Sequence, residues 1–230
     1  MELRAEGISR RYFRKHGEAN YFEAVKPVSL TLEGGRLTVL NGKSGSGKTT
    51  LLNMLAGLLN PSDGRVLLDG TDLYALEDAE LSRLRCAKIG VIPPGRSAVD
   101  TLTVYENILL PGLLYGGAPR TEEAESWMEA LGITDLRDAM PAELSGGELR
   151  RMAIARTLTA DPDVILADEP TGDLDSENTA VVLTALRQAA QGGKAVLVVS
   201  HEDDAAAYAD RVLRMDGGKI IGNGEDTEGT

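Results

Sequence analysis

Hydrophobic and polar residues alternate along the first 40 positions, most clearly at residues 28–32, where valine and leucine alternate with serine and threonine. A period of two residues is typical of a strand with one buried face. Gly34-Gly35 then interrupts the pattern, and residues 36–40 form a mostly apolar run. The pattern predicts antiparallel strands that lead into a buried strand.

The period changes after the glycine-rich stretch 42–49. From Lys48 to Leu59, leucine and methionine recur at the spacing of an amphipathic helix. Residues 61–64 are typical of a turn, and residues 65–68 of another short strand.

The stretch from about 95 to 160 has a different character. Its helix-like segments are 102–114, 122–131 and 148–159, and breaks are predicted within the stretch at Pro111-Gly112, Gly116-Gly117 and Pro141. We interpret this stretch as a helical insert.

Two unbroken apolar runs follow, at residues 164–167 and 195–199, with a predicted helix at 177–190 between them. Such runs are typical of strands buried on both faces of a parallel sheet, so a βαβ unit is predicted.

The C-terminal part predicts a hairpin, because residues 211–215 and 219–221 flank Asp216-Gly217-Gly218. Residues 222–230 are rich in glycine and acidic residues, and we expect a flexible tail. The sequence shows no internal repeat or low-complexity linker, so residues 1–230 are expected to form a single domain that contains the helical insert.

The charge balance excludes some functions. The chain has 24 Lys and Arg against 36 Asp and Glu, a net charge of −12. Nucleic acids are bound largely through Lys and Arg, so a nucleic-acid partner is not expected. An anionic membrane surface would also repel such a chain.

Cysteine usage and hydropathy narrow the class further. Cys86 is the single cysteine, so an internal disulfide is excluded, and with two histidines it gives no structural zinc site. The sequence has no apolar run of about 18 residues that would span a bilayer. Its first six residues are charged and unlike a signal peptide, so a cytosolic protein is expected.

The stretch 42–49 fits the phosphate-loop pattern G-x-x-x-x-G-K-[ST], with a predicted strand before it and a helix after it. The glycines let backbone N–H groups turn toward phosphate oxygens, and the helix N-terminus adds partial positive charge. Lys48 would reach the β- and γ-phosphates, and the Thr49 hydroxyl would hold Mg²⁺. An acidic protein can therefore bind a polyanion through one local cluster.

A second candidate element is the pair Asp168-Glu169, which follows the apolar run 164–167. Carboxylates at the carboxyl end of a parallel strand lie where ligands bind in α/β sheets. Asp168 is expected to hold Mg²⁺, and Glu169 to orient and deprotonate an attacking water.

The segment Leu144-Ser145-Gly146-Gly147-Glu148 comes directly before a predicted helix. Ser145 and Glu148 have the spacing of a helix-capping box. The order of a phosphate loop, LSGGE and a hydrophobic strand ending in Asp-Glu resembles the ATP-binding cassette (ABC) ATPases over essentially the whole chain. The resemblance implies an α/β fold with a phosphate-loop (RecA-like) core, an antiparallel β subdomain and a helical signature subdomain.

The resemblance also implies roles for individual residues. The ATP phosphates are expected to contact Asn41, Gly42, Lys43, Ser44, Gly45, Ser46, Gly47, Lys48, Thr49 and Thr50. The signature residues Leu144, Ser145, Gly146, Gly147 and Glu148 would contact the ATP held by a partner cassette. Asp175 resembles the D-loop aspartate at that interface, and His201 the switch histidine that contacts the γ-phosphate and the attacking water.

Two features of the family are less clear in this chain. The adenine is expected to stack on Tyr12, with Tyr21 or Phe22 as alternatives. The position where the family usually has a metal-contacting glutamine is occupied by Pro94, which has no side-chain donor or acceptor. A lower or altered ATPase rate is expected. His16 and Trp127 are expected to be an exposed residue and a packing residue, respectively.

The finer resemblance is to cassettes of the lipoprotein-release and macrolide-export type. It implies an ATPase with ATP and Mg²⁺ as cofactors, a head-to-tail dimer of cassettes, most simply a homodimer, and a separate membrane permease that holds the protein at the cytoplasmic face of the membrane. Three alternatives are a regulatory, non-transporting cassette, a cassette ATPase acting on a cytosolic assembly, and a phosphate-loop kinase, which would leave LSGGE unexplained.

Overall fold

The alternating N-terminal pattern forms an antiparallel sheet, as predicted. The computed structural model describes residues 1–13, 21–114, 118–172, 174–201 and 204–221. The sheet consists of β1 (Glu2–Phe13), β2 (Tyr21–Glu33), β4 (Asp63–Leu68) and β5 (Thr71–Asp72) in the order β2-β1-β4-β5. Its inward-facing aliphatic residues, including Leu3, Ala5 and Leu30, are buried.

A second sheet of six strands forms the centre of the fold. Its strands are β3 (Leu37–Asn41), β6 (Ile89–Ile92), β7 (Val164–Asp168), β8 (Ala195–Ser200), β9 (Arg211–Asp216) and β10 (Lys219–Ile221), in the order β10-β9-β3-β8-β7-β6. Five strands pair in parallel, and β10 closes the predicted hairpin with β9. Strands β7 and β8 are buried at every residue, as their unbroken apolar runs predict.

Helices cover both faces of this sheet. They are α1 (Lys48–Leu55), α2 (Asp78–Lys88), α3 (Val104–Leu114), α4 (Thr121–Ala130), α5 (Gly146–Thr159) and α6 (Ser176–Gln191). Helix α1 lies in the core between the two sheets, and α3 to α6 pack in a second core on the opposite face. The α/β prediction is confirmed, and β7, α6 and β8 form the predicted βαβ unit.

Some boundaries differ from the predictions. Helix α1 ends at Leu55 rather than at Leu59, because Gly57 adopts a left-handed conformation (φ +68°). The Tyr74 hydroxyl donates to the carbonyls of Met54 (2.6 Å) and Leu59 (2.7 Å), which holds this helix end. The hydrophobic pattern did not predict α2, in which Leu81 is the buried residue.

The predicted break at Pro111-Gly112 is wrong, since both residues lie inside α3. The lost hydrogen bond of Pro111 is offset by the packing of Val104 and Ile108 in the core shared with α5. Helices α3 to α5 lie within the stretch 95–160, whose status as a distinct insert stays a prediction. The predicted tail 222–230 lies outside the described residues, among which no helix is long and apolar enough to cross a membrane.

The parallel strands bring the predicted site residues to one edge. Asn41 at the end of β3 is paired with Ser200 at the end of β8, and Asp168 at the end of β7 is paired with Val199. The phosphate loop, the Asp-Glu pair and His201 therefore leave the sheet at the same edge.

A partly buried ion pair holds the opposite end of β3. Asp210 accepts hydrogen bonds from the Leu37 N–H (2.8 Å) and from Arg187 of α6. Burial alone would raise the pKa of Asp210, but Arg187, the Leu37 N–H and the charge of Arg36 outweigh it, and the pKa is lowered. The carboxylate therefore stabilises the fold above its unfolded pKa, and this contribution is lost as the pH falls through the lowered pKa.

We expect Asp210→Asn to destabilise the fold by about 1–3 kcal/mol at neutral pH, because a charge-assisted hydrogen bond and an ion pair are lost. The difference from the parent should shrink below about pH 4, the ordinary pKa of an aspartate, because the unfolded chain then binds a proton that Asp210 of the folded protein still excludes. Urea unfolding at several pH values measures this. A difference that stays constant down to pH 2 would contradict the assigned role of the charge.

Candidate active site

The phosphate loop is fixed by close backbone contacts. A Cβ atom on Gly42 would lie 2.4 Å from the Met215 carbonyl oxygen, and one on Gly47 would lie 2.3 Å from the Ala24 carbonyl oxygen. Gly47 also has a φ of +104°. The loop is therefore wedged between β2 and the end of β9, and only glycine fits at these two positions.

Gly45 is constrained differently. Its φ of +77° favours glycine, but a Cβ atom there would meet open space. The middle of the loop is therefore exposed, and close backbone contacts hold its two ends in place. A loop that binds an anion through its backbone N–H groups requires this arrangement.

Lys48 is the first residue of α1, and its side chain turns back into the loop. The ammonium is only 6% exposed and donates to the carbonyl oxygens of Gly42 (2.5 Å) and Lys43 (3.2 Å). Nζ lies 3.8 Å from a carboxylate oxygen of Glu169. The N-cap, Gly47, provides no side-chain acceptor, so the N–H groups of the first turn are left for a ligand. The residues present fit a bound phosphate.

Asp168 is 2% exposed, and neither of its carboxylate oxygens makes a hydrogen bond of good geometry among the described residues, although the Thr49 hydroxyl is close enough to lower its pKa. Burial raises the pKa of Asp168 and the Glu169 carboxylate raises it further, against the lowering effects of the neighbouring Thr49 hydroxyl and of Lys48. A buried carboxylate with no well-formed hydrogen bond, beside a hydroxyl, is a set of hard oxygen ligands that suits Mg²⁺.

The described residues contain no group of three or more His, Cys, Asp or Glu side chains that could hold a metal alone. Mg²⁺ in phosphate-transfer sites is commonly held by one or two protein oxygens together with phosphate oxygens and water. Thr49 and Asp168 therefore fit a metal that arrives with a nucleotide.

Glu169 has a left-handed backbone (φ +49°), which costs an ordinary residue about 1–2 kcal/mol. Hydrogen bonds from its N–H to the Val199 carbonyl (2.9 Å) and from the Gly172 N–H to its carbonyl (3.2 Å) hold this conformation. One carboxylate oxygen lies 2.8 Å from His201 Nδ1, and the other faces Lys48. The strained backbone thus places the half-buried Glu169 carboxylate between the Lys48 ammonium and the exposed His201 imidazole.

The signature segment forms the predicted capping box at the start of α5. The Ser145 hydroxyl accepts from the Glu148 N–H (3.3 Å), and Glu148 accepts from the Ser145 N–H and hydroxyl (both 2.7 Å). These two bonds lower the pKa of Glu148. Ser145 and Gly146 are exposed, whereas Leu144 and Gly147 are partly buried, and a Cβ on Gly147 would lie 3.1 Å from Leu174.

Asp175 is the N-cap of α6. Its carboxylate accepts from the Asn178 N–H (2.8 Å) and side-chain amide (2.9 Å), and these bonds lower its pKa. A local capping role accounts for these contacts, and the predicted role between two cassettes stays a prediction.

The candidate adenine site is a cleft of about 460 Å³ between the antiparallel sheet and the phosphate loop. Tyr12 and Phe22, which are directly opposite each other in the β1–β2 pairing, line it together with Gly45 and the segment 47–50. Tyr21 lies outside this cleft and packs edge to face on Phe13, with 5.7 Å between the ring centroids. Tyr12 and Phe22 thus both have access to a base at this site.

Two further predictions concern Trp127 and His16. Trp127 packs against the core formed by α3 to α6, as expected for a packing residue. His16 lies outside the described residues.

Pro94 is exposed directly after β6 and Pro93. The Pro93 carbonyl accepts a hydrogen bond from Arg150 of α5 (2.7 Å). Arg150 is only 9% exposed, and its charge also acts on Asp168. Arg150 was not predicted from the sequence. The available signal was an arginine pair, Arg150-Arg151, directly after the signature on a helix that packs in the core.

Comparisons with known proteins agree with this geometry. The family described as ABC transporter matches residues 25–172. The chain is 39% identical to the lipoprotein-releasing system ATP-binding protein LolD of Aquifex aeolicus over 87% of this chain and 91% of that one. It is 35% identical to the macrolide export ATP-binding/permease protein MacB 2 of Aeromonas hydrophila, over 95% of this chain but 34% of that one.

Among solved structures, the fold is similar to the dimeric post-hydrolysis state of the ATP-binding cassette MJ0796 bound to ADP and Pi. The TM-score is 0.89 at 32% sequence identity, over 99% of this chain and all of that one.

The phosphate loop gives a matched pair of substitutions. Gly45→Ala should cost about 1–2 kcal/mol of stability through its backbone conformation alone. Gly47→Ala adds a clash with the Ala24 carbonyl, so it should destabilise the protein more and abolish binding of a fluorescent ATP analogue. Thermal unfolding and analogue titration measure both effects. Equal losses of stability and of analogue binding in the two variants would contradict the close packing of the loop at Gly47.

Proposed function

Because this chain belongs to the ABC transporter family and is an ATP-binding cassette with ATPase activity, we propose that it hydrolyses ATP at Glu169 to drive a separate membrane permease. The observation that carries the proposal is the position of the Glu169 carboxylate. It is held by a strained backbone between Lys48 and His201, at the sheet edge where the phosphate loop begins.

Binding of the nucleotide uses the contacts around the phosphate loop. Lys48 and the N–H groups of the loop and of the first turn of α1 face the phosphates, and Tyr12 or Phe22 stacks on the adenine. Thr49 and Asp168 hold Mg²⁺, which when bound neutralises phosphate charge. We propose that the phosphate-binding set is the one predicted from the sequence, from Asn41 to Thr50.

Hydrolysis requires a base near the γ-phosphate. Glu169 accepts a proton from the attacking water and orients it for in-line attack. His201 fixes one carboxylate oxygen from the side opposite Lys48. Lys48 stabilises the negative charge on the transferred phosphoryl group.

We propose that a second copy of this chain completes each site. The N-terminus of α5, with Ser145 and Gly146 exposed, presents unpaired helix N–H groups and a partial positive charge. This end would meet the γ-phosphate of the ATP bound by the partner, with Asp175 at the same interface. The dimeric form of the related cassette MJ0796 supports this arrangement.

The names of the relatives support a membrane partner. This chain spans 91% of the ATP-binding protein LolD but only 34% of the combined ATP-binding/permease protein MacB 2. We propose a separate permease chain, by analogy with the relative that is named as an ATP-binding protein alone, and this permease would place the protein at the cytoplasmic face of the membrane.

Pro94 favours a second candidate, a regulatory cassette that transmits closure of the ATP dimer to a membrane partner without transport. The family usually links ATP and permease through a glutamine at this position, and proline cannot make those contacts. Transport by the complex reconstituted with its membrane partner would distinguish the two functions.

Glu169→Gln should bind ATP with a Kd within about threefold of the parent and hydrolyse it at least about 100-fold more slowly, because the base is lost while the shape is kept. The variant should also accumulate as an ATP-bound dimer in size-exclusion chromatography. Glu129→Gln, which removes an exposed carboxylate from α4, is the matched control with parental kinetics. Rapid hydrolysis by Glu169→Gln would exclude Glu169 as the base.

A further inference from the structure

The segment 93–97 follows β6, which pairs with β7, the strand that ends at Asp168. Pro93 and Pro94 each have a fixed φ and lack a backbone N–H, and Gly95 has a φ of +78°. A segment of this kind is stiff at its start, so a movement at one end is passed on rather than absorbed.

Two arginines of α5 hold this segment at both ends. Arg150 Nη1 donates to the Pro93 carbonyl (2.7 Å), and Arg156 donates to the Ser97 carbonyl (2.6 Å) and hydroxyl (2.8 Å). Helix α5 is the helix that begins at the signature residue Ser145. The segment after β6 is therefore tied to the signature helix by side chains, at points that flank Pro94.

Arg150 also influences the metal site through its charge. Its charge is one of the influences that lower the pKa of Asp168 against the effect of burial. One guanidinium thus acts on both the Pro93 carbonyl and the buried carboxylate at the end of β7.

We propose that Arg150 is a positioning residue that couples the ATP site to the signature helix, in place of the glutamine that is absent at position 94. When nucleotide binds, a shift at the end of β6 moves Pro93, and Arg150 carries that shift into α5. This inference rests on the proposed ATPase function, since it concerns the same site.

If Arg150 had a purely structural role, its contacts would be the same, but its substitution would give a different result. If Arg150 only joins α5 to the sheet, its loss lowers stability without a selective effect on the response to ATP. If it couples the two parts, its loss should lower kcat while ATP still binds the phosphate loop and KM changes little.

The test compares the parent with Arg150→Met and Arg150→Lys, each shown to be folded by circular dichroism. We expect Arg150→Met to lower kcat about tenfold and to change KM for ATP by less than about twofold. Arg150→Lys keeps the charge but lacks the planar fork of guanidinium donors, so an intermediate loss of about threefold is expected. The double variant Arg150→Met/Pro94→Gln should recover more than half of the lost rate.

Hydrogen exchange in the Glu169→Gln background gives a second measurement. Addition of ATP and Mg²⁺ should protect residues 41–50 in every variant, whereas protection of the amides of residues 95–97 should be lost in Arg150→Met and reduced in Arg150→Lys. Arg83→Met, which removes an exposed arginine from α2, should behave as its parent.

The possible outcomes distinguish a failure of the coupling role from a failure of the proposed nucleotide site. Parental kcat and parental protection of 95–97 in the folded Arg150 variants would overturn the coupling role alone. Should Arg150→Met fail to fold, parental values in Arg150→Lys overturn it. Absence of ATP-dependent protection at 41–50 in every protein would overturn the proposed nucleotide site, and the coupling role with it.

Discussion

The buried ammonium of Lys48 is the interaction on which the rest of the site depends. Removing a cation from water is costly unless oxygen atoms surround it. Two loop carbonyls and the nearby Glu169 carboxylate meet this need in part, and phosphate oxygens would complete it. The glycines at 42 and 47 allow this arrangement, because the backbones of β2 and of the end of β9 press on the loop from outside. The core that packs α1 between two sheets is therefore what gives the loop its shape.

The net charge of −12 does not prevent this edge of the sheet from binding a polyanion. Parallel register places Asn41, Asp168 and Ser200 side by side, so one cation faces the carboxylates that a metal and a water require. The backbone strain at Glu169 is retained because hydrogen bonds from both sides hold it. An acidic body thus binds a polyanion through local geometry and not through overall charge.

The sequence was sufficient where chemistry demands a fixed spacing. The phosphate loop, the buried strands before Asp168 and His201, and the capping box at Ser145 all follow from short motifs with a direct physical reason. Features set by long-range contacts could not be predicted in this way. Examples are the end of α1 at Gly57, the helix through Pro111, the mainly polar α2, the bond from Arg150 to Pro93, and the choice between Tyr12 and Phe22, which depends on strand pairing.

The phosphate loop of one chain and the signature of another are proposed to form one catalytic site. Mixing two inactive variants, Lys48→Ala and Ser145→Arg, tests it most directly, because a heterodimer then contains one site without either defect. Statistical mixing should restore ATPase activity to about one quarter of the parental rate, as expected for a symmetric two-site dimer. A mixture no more active than its separate components would contradict the account.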